Sequence, residues 1–227
     1  MENYFTFPNF SVGLHVSNEF YKKSDYYTNK PMTVFFFNCF NESDDCKKNI
    51  EKLSSLFKSN GHQCFNMNNI NSLNDIKNSI NNMYKPIFGM IIIFFFGYGY
   101  GNDHIYLETS NESVSYMNFL LEMNKVRIQG NPIVLFSNIS YKSPQNTLPY
   151  SHLPCTLKDV FHYSLIFTDG IENTSLLTNS FVDEIHNLQF TDFMYQINKR
   201  LNTQRNCCVD VKYYGVQKQL EFPNLQK

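Results

Sequence analysis

Nucleophiles and bases are the residues to weigh first. The chain carries six cysteines and six histidines. A thiol beside an imidazole would make a hydrolytic dyad, because free Cys, with a pKa of about 8.5, needs only a neighbouring His to become a thiolate at neutral pH. The cysteines are Cys39, Cys46, Cys64, Cys155, Cys207 and Cys208. None forms the CxxC pair of a structural zinc site, and the spacings fit no disulfide framework, so they read as reduced intracellular thiols. His15, His62, His104, His152, His162 and His186 are scattered along the chain. Cys155 follows Pro154 in a loop and has no evident base. Tyr98 and Ser140 each lie just beyond an apolar run, where open α/β sheets place their sites. Ser140 could act as a nucleophile only with a well-placed base. Tyr98, with an ordinary pKa of about 10, cannot be that base at pH 7. His104 would have to swing back over the strand end to serve. A divergent hydrolase using Ser140 or Cys155 is therefore one reading, and ordinary strand-end and loop residues are the other.

The elements that must position these residues alternate along the chain. Apolar runs predict strands at Met32–Phe37, Gln63–Met67, Ile87–Phe96, Pro132–Ser137, Tyr163–Phe167 and Val209–Tyr214. Helical spacing of Ile50, Leu53 and Leu56 predicts a helix over Asp44–Ser59, stopped by Asn60-Gly61. Leu73, Ile76, Ile80 and Met83 predict a second helix over Ser72–Met83. Further helices are expected at Met117–Met123, Ser175–Leu188 and Thr191–Leu201, with a small hairpin at His104–Leu107 and Ser113–Ser115. Such alternation implies an α/β fold, a mostly parallel sheet with helices on both faces.

Bulk properties narrow the function classes. A chain of 227 residues suits one domain with a substantial core. Its net charge of −1 gives no electrostatic case for nucleic acid or an acidic membrane. The amino terminus lacks the basic and apolar regions of a signal peptide. The run Ile87–Phe96 is too short for a membrane span, which needs about 20 residues, and reads as a strand buried on both faces. A cytoplasmic location is expected. The abundance of Asn and the absence of Ala point to an AT-rich coding sequence more than to a function.

Several segments in order resemble the caspase family of cysteine proteases. Asn131-Pro-Ile-Val-Leu-Phe-Ser-Asn-Ile-Ser140 is similar to the caspase segment Lys-Pro-Lys-Leu-Phe-Phe-Ile-Gln-Ala-Cys-Arg-Gly, with Asn138 at the glutamine and Ser140 at the catalytic cysteine. Phe94-Phe-Phe-Gly-Tyr98-Gly99 resembles the strand before the family's Ser-His-Gly. Tyr98 takes the place of the histidine base if one residue is inserted in the loop after it. Phe161–Thr168 looks like the first strand of the small subunit. Asn179–Ile185 is similar to the family's Ser-Trp-Phe-Ile-Gln helix, and Val216–Pro223 to its closing Leu-x-Lys-x-Leu-Tyr-Phe-Pro. The resemblance covers roughly Lys30 to the end. It implies a caspase-like three-layer α/β/α sandwich around a central six-stranded, mostly parallel sheet. It divides the chain into an extension at 1–30, a large-subunit-like part at 31–140, a linker at 141–158 and a small-subunit-like part at 159–227. No death-fold prodomain fits before the first strand.

The departures from the family carry the functional expectation. Both dyad positions are replaced. Caspases clamp the substrate aspartate with two arginines, since a guanidinium matches a carboxylate bidentately. One position falls in Asn41-Glu-Ser-Asp-Asp45 and the other at Leu177, whereas the arginines of this chain are Arg127, Arg200 and Arg205. The segment Tyr141–Lys158 lacks the Asp at which caspases are cut. The resemblance thus implies a pseudo-enzyme without cofactor or metal, of the kind a viral or host antagonist of apoptosis would be. It would act on a host or paralogous caspase, inhibition being favoured over activation, with a scaffold role as an alternative. The last strand, with Val209, Asp210, Val211, Lys212, Tyr213 and Tyr214, corresponds to the family's two-fold interface. It is the expected surface for a homodimer or for a heterodimer with an active caspase.

Overall fold

The structure is a computed structural model. It describes residues 3–7, 10–14, 31–40, 43–68, 70, 72–84, 89–100, 104–107, 112–115, 118–119, 122, 133–141, 160–167, 178–179 and 181–183. Two elements form an antiparallel hairpin of their own, β1 (Asn3–Phe7) and β2 (Phe10–Leu14). The others build a seven-stranded sheet: β3 (Thr33–Asn38), β4 (Gln63–Asn68), β5 (Ile91–Tyr100), β6 (His104–Leu107), β7 (Glu112–Ser115), β8 (Ile133–Tyr141) and β9 (Val160–Phe167). Helix α1 (Asp44–Ser59) joins β3 to β4, and α2 (Leu73–Met83) joins β4 to β5.

Local chemistry explains the helix bounds. Ser43 caps α1, its Oγ accepting from the Cys46 N–H at 3.2 Å. Asp44 and Asp45 occupy the first turn and Lys58 the last, matching the helix dipole. Helix α1 thus begins at Asp44, where the sequence spacing predicts it. Gly61, with φ of 80°, makes the turn into β4, a conformation that a side chain would resist. Helix α2 starts with a capping box: the Asp75 N–H donates to Ser72 Oγ at 3.2 Å, and the Ser72 N–H donates to Asp75 Oδ2 at 2.8 Å.

Strands β4, β3, β5, β8 and β9 lie side by side in that order, all parallel. The chain steps one way from β3 to β4 and the other way from β4 to β5. Right-handed crossovers then put α1 and α2 on opposite faces. The contacts agree. Phe57 of α1 lies 6.0 Å from Phe94, whereas Phe119 lies 5.1 Å from Phe95, whose side chain leaves the opposite face. Lys77 of α2 pairs with Glu122 at 2.6 Å on the Phe119 side. Helical Phe181 joins the Phe57 side, 5.2 Å from Phe94 and 5.3 Å from Phe136. The described fold is thus mixed α/β with helices on both faces of a largely parallel sheet.

The structure departs from the sequence reading in several places. The described sheet holds five of the expected strands, and the hairpin β6–β7 joins it along the end of β5, which makes seven described strands. Strands β5 and β8 run on to Tyr100 and Tyr141, past the expected ends at Phe96 and Ser137, because each added residue finds ladder partners. The hairpin β1–β2 occupies what was read as a plain extension. The expected helix Thr191–Leu201 and strand Val209–Tyr214 lie outside the described residues.

Truncating Phe94, which touches both helices on its face, should cost about 3–5 kcal/mol of stability as Phe94→Ala. Removing the α2 cap as Ser72→Ala should cost about 1 kcal/mol. Urea unfolding of the two variants measures the difference, and equal losses would show that the Phe94 cluster does not dominate the core.

Candidate functional site

The carboxyl ends of β3, β5 and β8 form the part of the sheet where chemistry is expected. Counted along the parallel strands, the order is 2-1-3-4-5, which puts the switch point between β3 and β5. In this protein that crevice is occupied. Strand β3 ends at Asn38, the partner of Phe96, and β6 takes over the same edge of β5 from Tyr98 onward. Gly97 marks the change of neighbour. A Cβ there would stand 2.9 Å from the Phe95 ring and 3.4 Å from Cys39 Cβ. The Cys39 N–H donates to the Phe96 carbonyl at 2.7 Å, closing the end of β3 against β5.

Tyr98 and Ser140, distant in sequence, are Cα partners on the neighbouring parallel strands β5 and β8. Gly99 is the partner of Tyr141, and Asn138 of Phe96. On its other side, Tyr98 is the partner of Tyr106 and Tyr100 of His104. Positions 98, 100, 104, 106 and 140 therefore fall on one side of the pleat. Position 104 is two strands from 140 and two residues further along. Their Cα atoms are on the order of 12 Å apart, beyond a direct Ser–His hydrogen bond. Leu177, Cys155, the linker from Lys142 to Lys158 and the interface Val209, Asp210, Val211, Lys212, Tyr213 and Tyr214 lie outside the described residues.

The titratable groups nearby are arranged for structure. Asn38 is buried at the end of β3. Its Oδ1 accepts from the Phe40 N–H at 3.0 Å and from the Cys46 thiol at 3.4 Å, while its Nδ2 donates to Asn68 Oδ1 at 3.4 Å. Burial pushes the Cys46 thiol up to about 12 and the Cys64 thiol up to about 11. Both stay protonated at neutral pH, and neither is an activated nucleophile. His62 sits at the other end of the sheet, where its Nδ1 accepts from the Met32 N–H at 3.1 Å. Burial lowers its pKa to about 4, so it is a neutral structural imidazole at pH 7. Among the described residues no group of three or more His, Cys, Asp or Glu is placed to hold a metal ion. No described helix is long and apolar enough to cross a membrane.

Sequence reasoning missed Asn38 and Thr178, both buried polar residues. The signal for Asn38 is a polar side chain ending the run Val34–Phe37; Thr178 gives none, since its burial comes only from packing against the sheet. The chain matches no protein-family model, and no curated protein matches it.

His62 generates a pH prediction. Its pKa in the folded chain, about 4, lies below the ordinary 6.5. Its contribution to stability is therefore present above pH 6.5 and is lost as pH falls towards 4. Thermal midpoints measured across that range should drop for the unmodified chain, and the drop should be shallower for His62→Gln. Parallel curves for the two proteins would exclude His62 as a source of acid sensitivity.

Proposed function

We propose that this chain is a catalytically dead caspase homologue that regulates apoptosis, inhibiting a host or paralogous caspase by direct binding. The observation that carries the reading is the pairing of Tyr98 with Ser140 on adjacent parallel strands. These are the two positions that the sequence resemblance assigns to the base and the nucleophile. Neither residue type can fill that role unaided, and position 104 is too far from Ser140 to supply an imidazole. The Cys46 and Cys64 thiols are protonated, and Asn138 is only 1% exposed, so it offers an incoming peptide little to touch. The order of the parallel strands and the helices on both faces fit the caspase-like sandwich that the resemblance implies. A protein of this kind acts by contact, and the strand Val209–Tyr214 is the surface that the resemblance nominates, as homodimer or as heterodimer with an active caspase.

The test is a caspase assay with cell extract or a purified effector caspase and a peptide bearing aspartate at the cleaved position. The chain alone should cleave nothing, and its addition should lower caspase activity in a concentration-dependent way. Ser140→Ala should keep that effect. Val211→Pro, which removes a backbone donor from the pairing strand, should abolish it while circular dichroism remains that of the parent. Cleavage after Asp by the chain itself, or labelling of Ser140 by a fluorophosphonate probe, would overturn the reading in favour of a hydrolase.

Because Tyr141–Lys158 contains no Asp, the chain should also survive an active effector caspase intact. Mass spectrometry after incubation is the measurement. Efficient conversion into two pieces cut within that segment would show that maturation by cleavage is retained.

A further inference from the structure

Among the buried polar side chains that lack protein partners, which also include Thr33 and Ser54, two belong to neighbouring elements near the carboxyl ends of the strands. Asn138 on β8 is 1% exposed and helical Thr178 is 0% exposed. The Asn138 Nδ2 and the Thr178 Oγ1 are both buried without a hydrogen bond from the protein. Most buried polar atoms in folded proteins are paired, so two orphans in one region need a physical account.

Contacts of their neighbours fix where the two lie relative to each other. Phe181 stacks edge-on against Phe136 of β8 at 5.3 Å and lies 5.9 Å from Phe57 of α1. Asn179 meets Lys52, earlier on α1, through a 2.7 Å bond from Lys52 Nζ to Asn179 Oδ1. Helix α1 runs from the carboxyl edge of the sheet, where Cys46 reaches Asn38, to the amino edge, where Gly61 turns into β4. Going from Phe181 back to Asn179 therefore moves towards the carboxyl edge. Thr178 is one helical turn before Phe181, on the same helix face and about 4.5 Å nearer that edge. Asn138 is two residues beyond Phe136, on the same face of β8 and about 6.6 Å nearer that edge. Thr178 thus stands over Asn138 as Phe181 stands over Phe136.

We propose that Asn138 and Thr178 hold one buried water molecule between the sheet and the helix, in the layer directly beneath the Tyr98 and Ser140 positions. The layer below fills the same gap with two phenyl rings. An amide and a hydroxyl are both shorter, and the difference leaves room on the order of the ~30 Å³ that a water occupies. The water oxygen accepts from Asn138 Nδ2, and the water exchanges a second hydrogen bond with the Thr178 hydroxyl. Lys52 of α1 bonds to Asn179, and both groups that would hold the molecule are neutral, so the site suits a neutral molecule rather than an anion. The bridge ties the helix that follows the 141–158 segment to the strand that precedes it.

A high-resolution crystal structure of the full unmodified chain tests the site directly. One ordered water within hydrogen-bonding distance of both atoms is expected, and a direct Asn138–Thr178 bond or a dry gap would overturn the proposal. A double-mutant cycle with Asn138→Leu and Thr178→Val, read by urea unfolding, is the second arm. Each single variant leaves the other group poorly paired and should lower the folding constant about 5- to 150-fold, whereas replacing both with apolar groups should be nearly neutral. Losses that simply add in the double variant would show that no shared molecule couples the two groups.

Discussion

Phe36, Phe94 and Phe136 stand side by side on three adjacent parallel strands, with ring centroids 5.0 Å apart on either side of Phe94. Phe57 and Phe181 close over them from the helices. Stacked aromatic pairs add about 0.5–1.5 kcal/mol each beyond their buried area. The larger effect is on register. Moving any of these strands by one residue would send its ring to the opposite face and break the row. With the row in place, Phe36 is held opposite Phe94 and Phe94 opposite Phe136. Everything nearer the carboxyl edge then follows by counting: Phe96 beside Asn138, and Tyr98 beside Ser140.

The same register separates two chemistries along β5. From Ile91 to Phe96 the strand is wholly buried, between β3 and β8 and between two layers of helix. Beyond Gly97 it exchanges β3 for the antiparallel β6, and its neighbours become Tyr106, Ile105 and His104. The polar residues at this boundary mostly bond to one another or to the backbone. Asn38 illustrates the economy of the arrangement, since one carboxamide satisfies the start of α1, the chain leaving β3 and the end of β4. Such a boundary stabilises an end of the sheet well. It does little to activate a nucleophile, because the nearby Cys46 thiol is itself a donor held protonated by burial.

The pseudo-enzyme proposed above would make natural use of this arrangement. Two positions brought together by a rigid aromatic register remain neighbours whatever residues occupy them. Selection can then change the residues without losing the frame, and a frame with a usable edge can still bind. The proposed regulation of a caspase draws on that separation between the scaffold, which packing maintains, and the reacting groups, which packing does not require.

Several features were legible in the sequence because their causes are local. Helix α1 ends where predicted, with Ser43 before it and Asn60-Gly61 after it, and α2 begins at the Ser72–Asp75 box. The small hairpin at His104–Leu107 and Ser113–Ser115 was expected, and the apolar run Ile87–Phe96 announced a strand buried on both faces, which begins at Ile91. The identities at 98 and 140 were also readable, through their resemblance to a dyad segment. Their being partners across two strands was not, since register between distant strands depends on rings packing together and not on neighbours in the chain. The continuation of β5 to Tyr100 and β8 to Tyr141 likewise depends on ladder partners supplied by β6 and by each other. The N-terminal hairpin went unread although Phe5, Phe7, Phe10, Val12 and Leu14 alternate around a short Pro8-Asn9 break. The burial of Asn38, Asn138 and Thr178 was decided only by tertiary structure, because a polar side chain states what bonds it can make and only the surrounding elements determine whether water is there to make them.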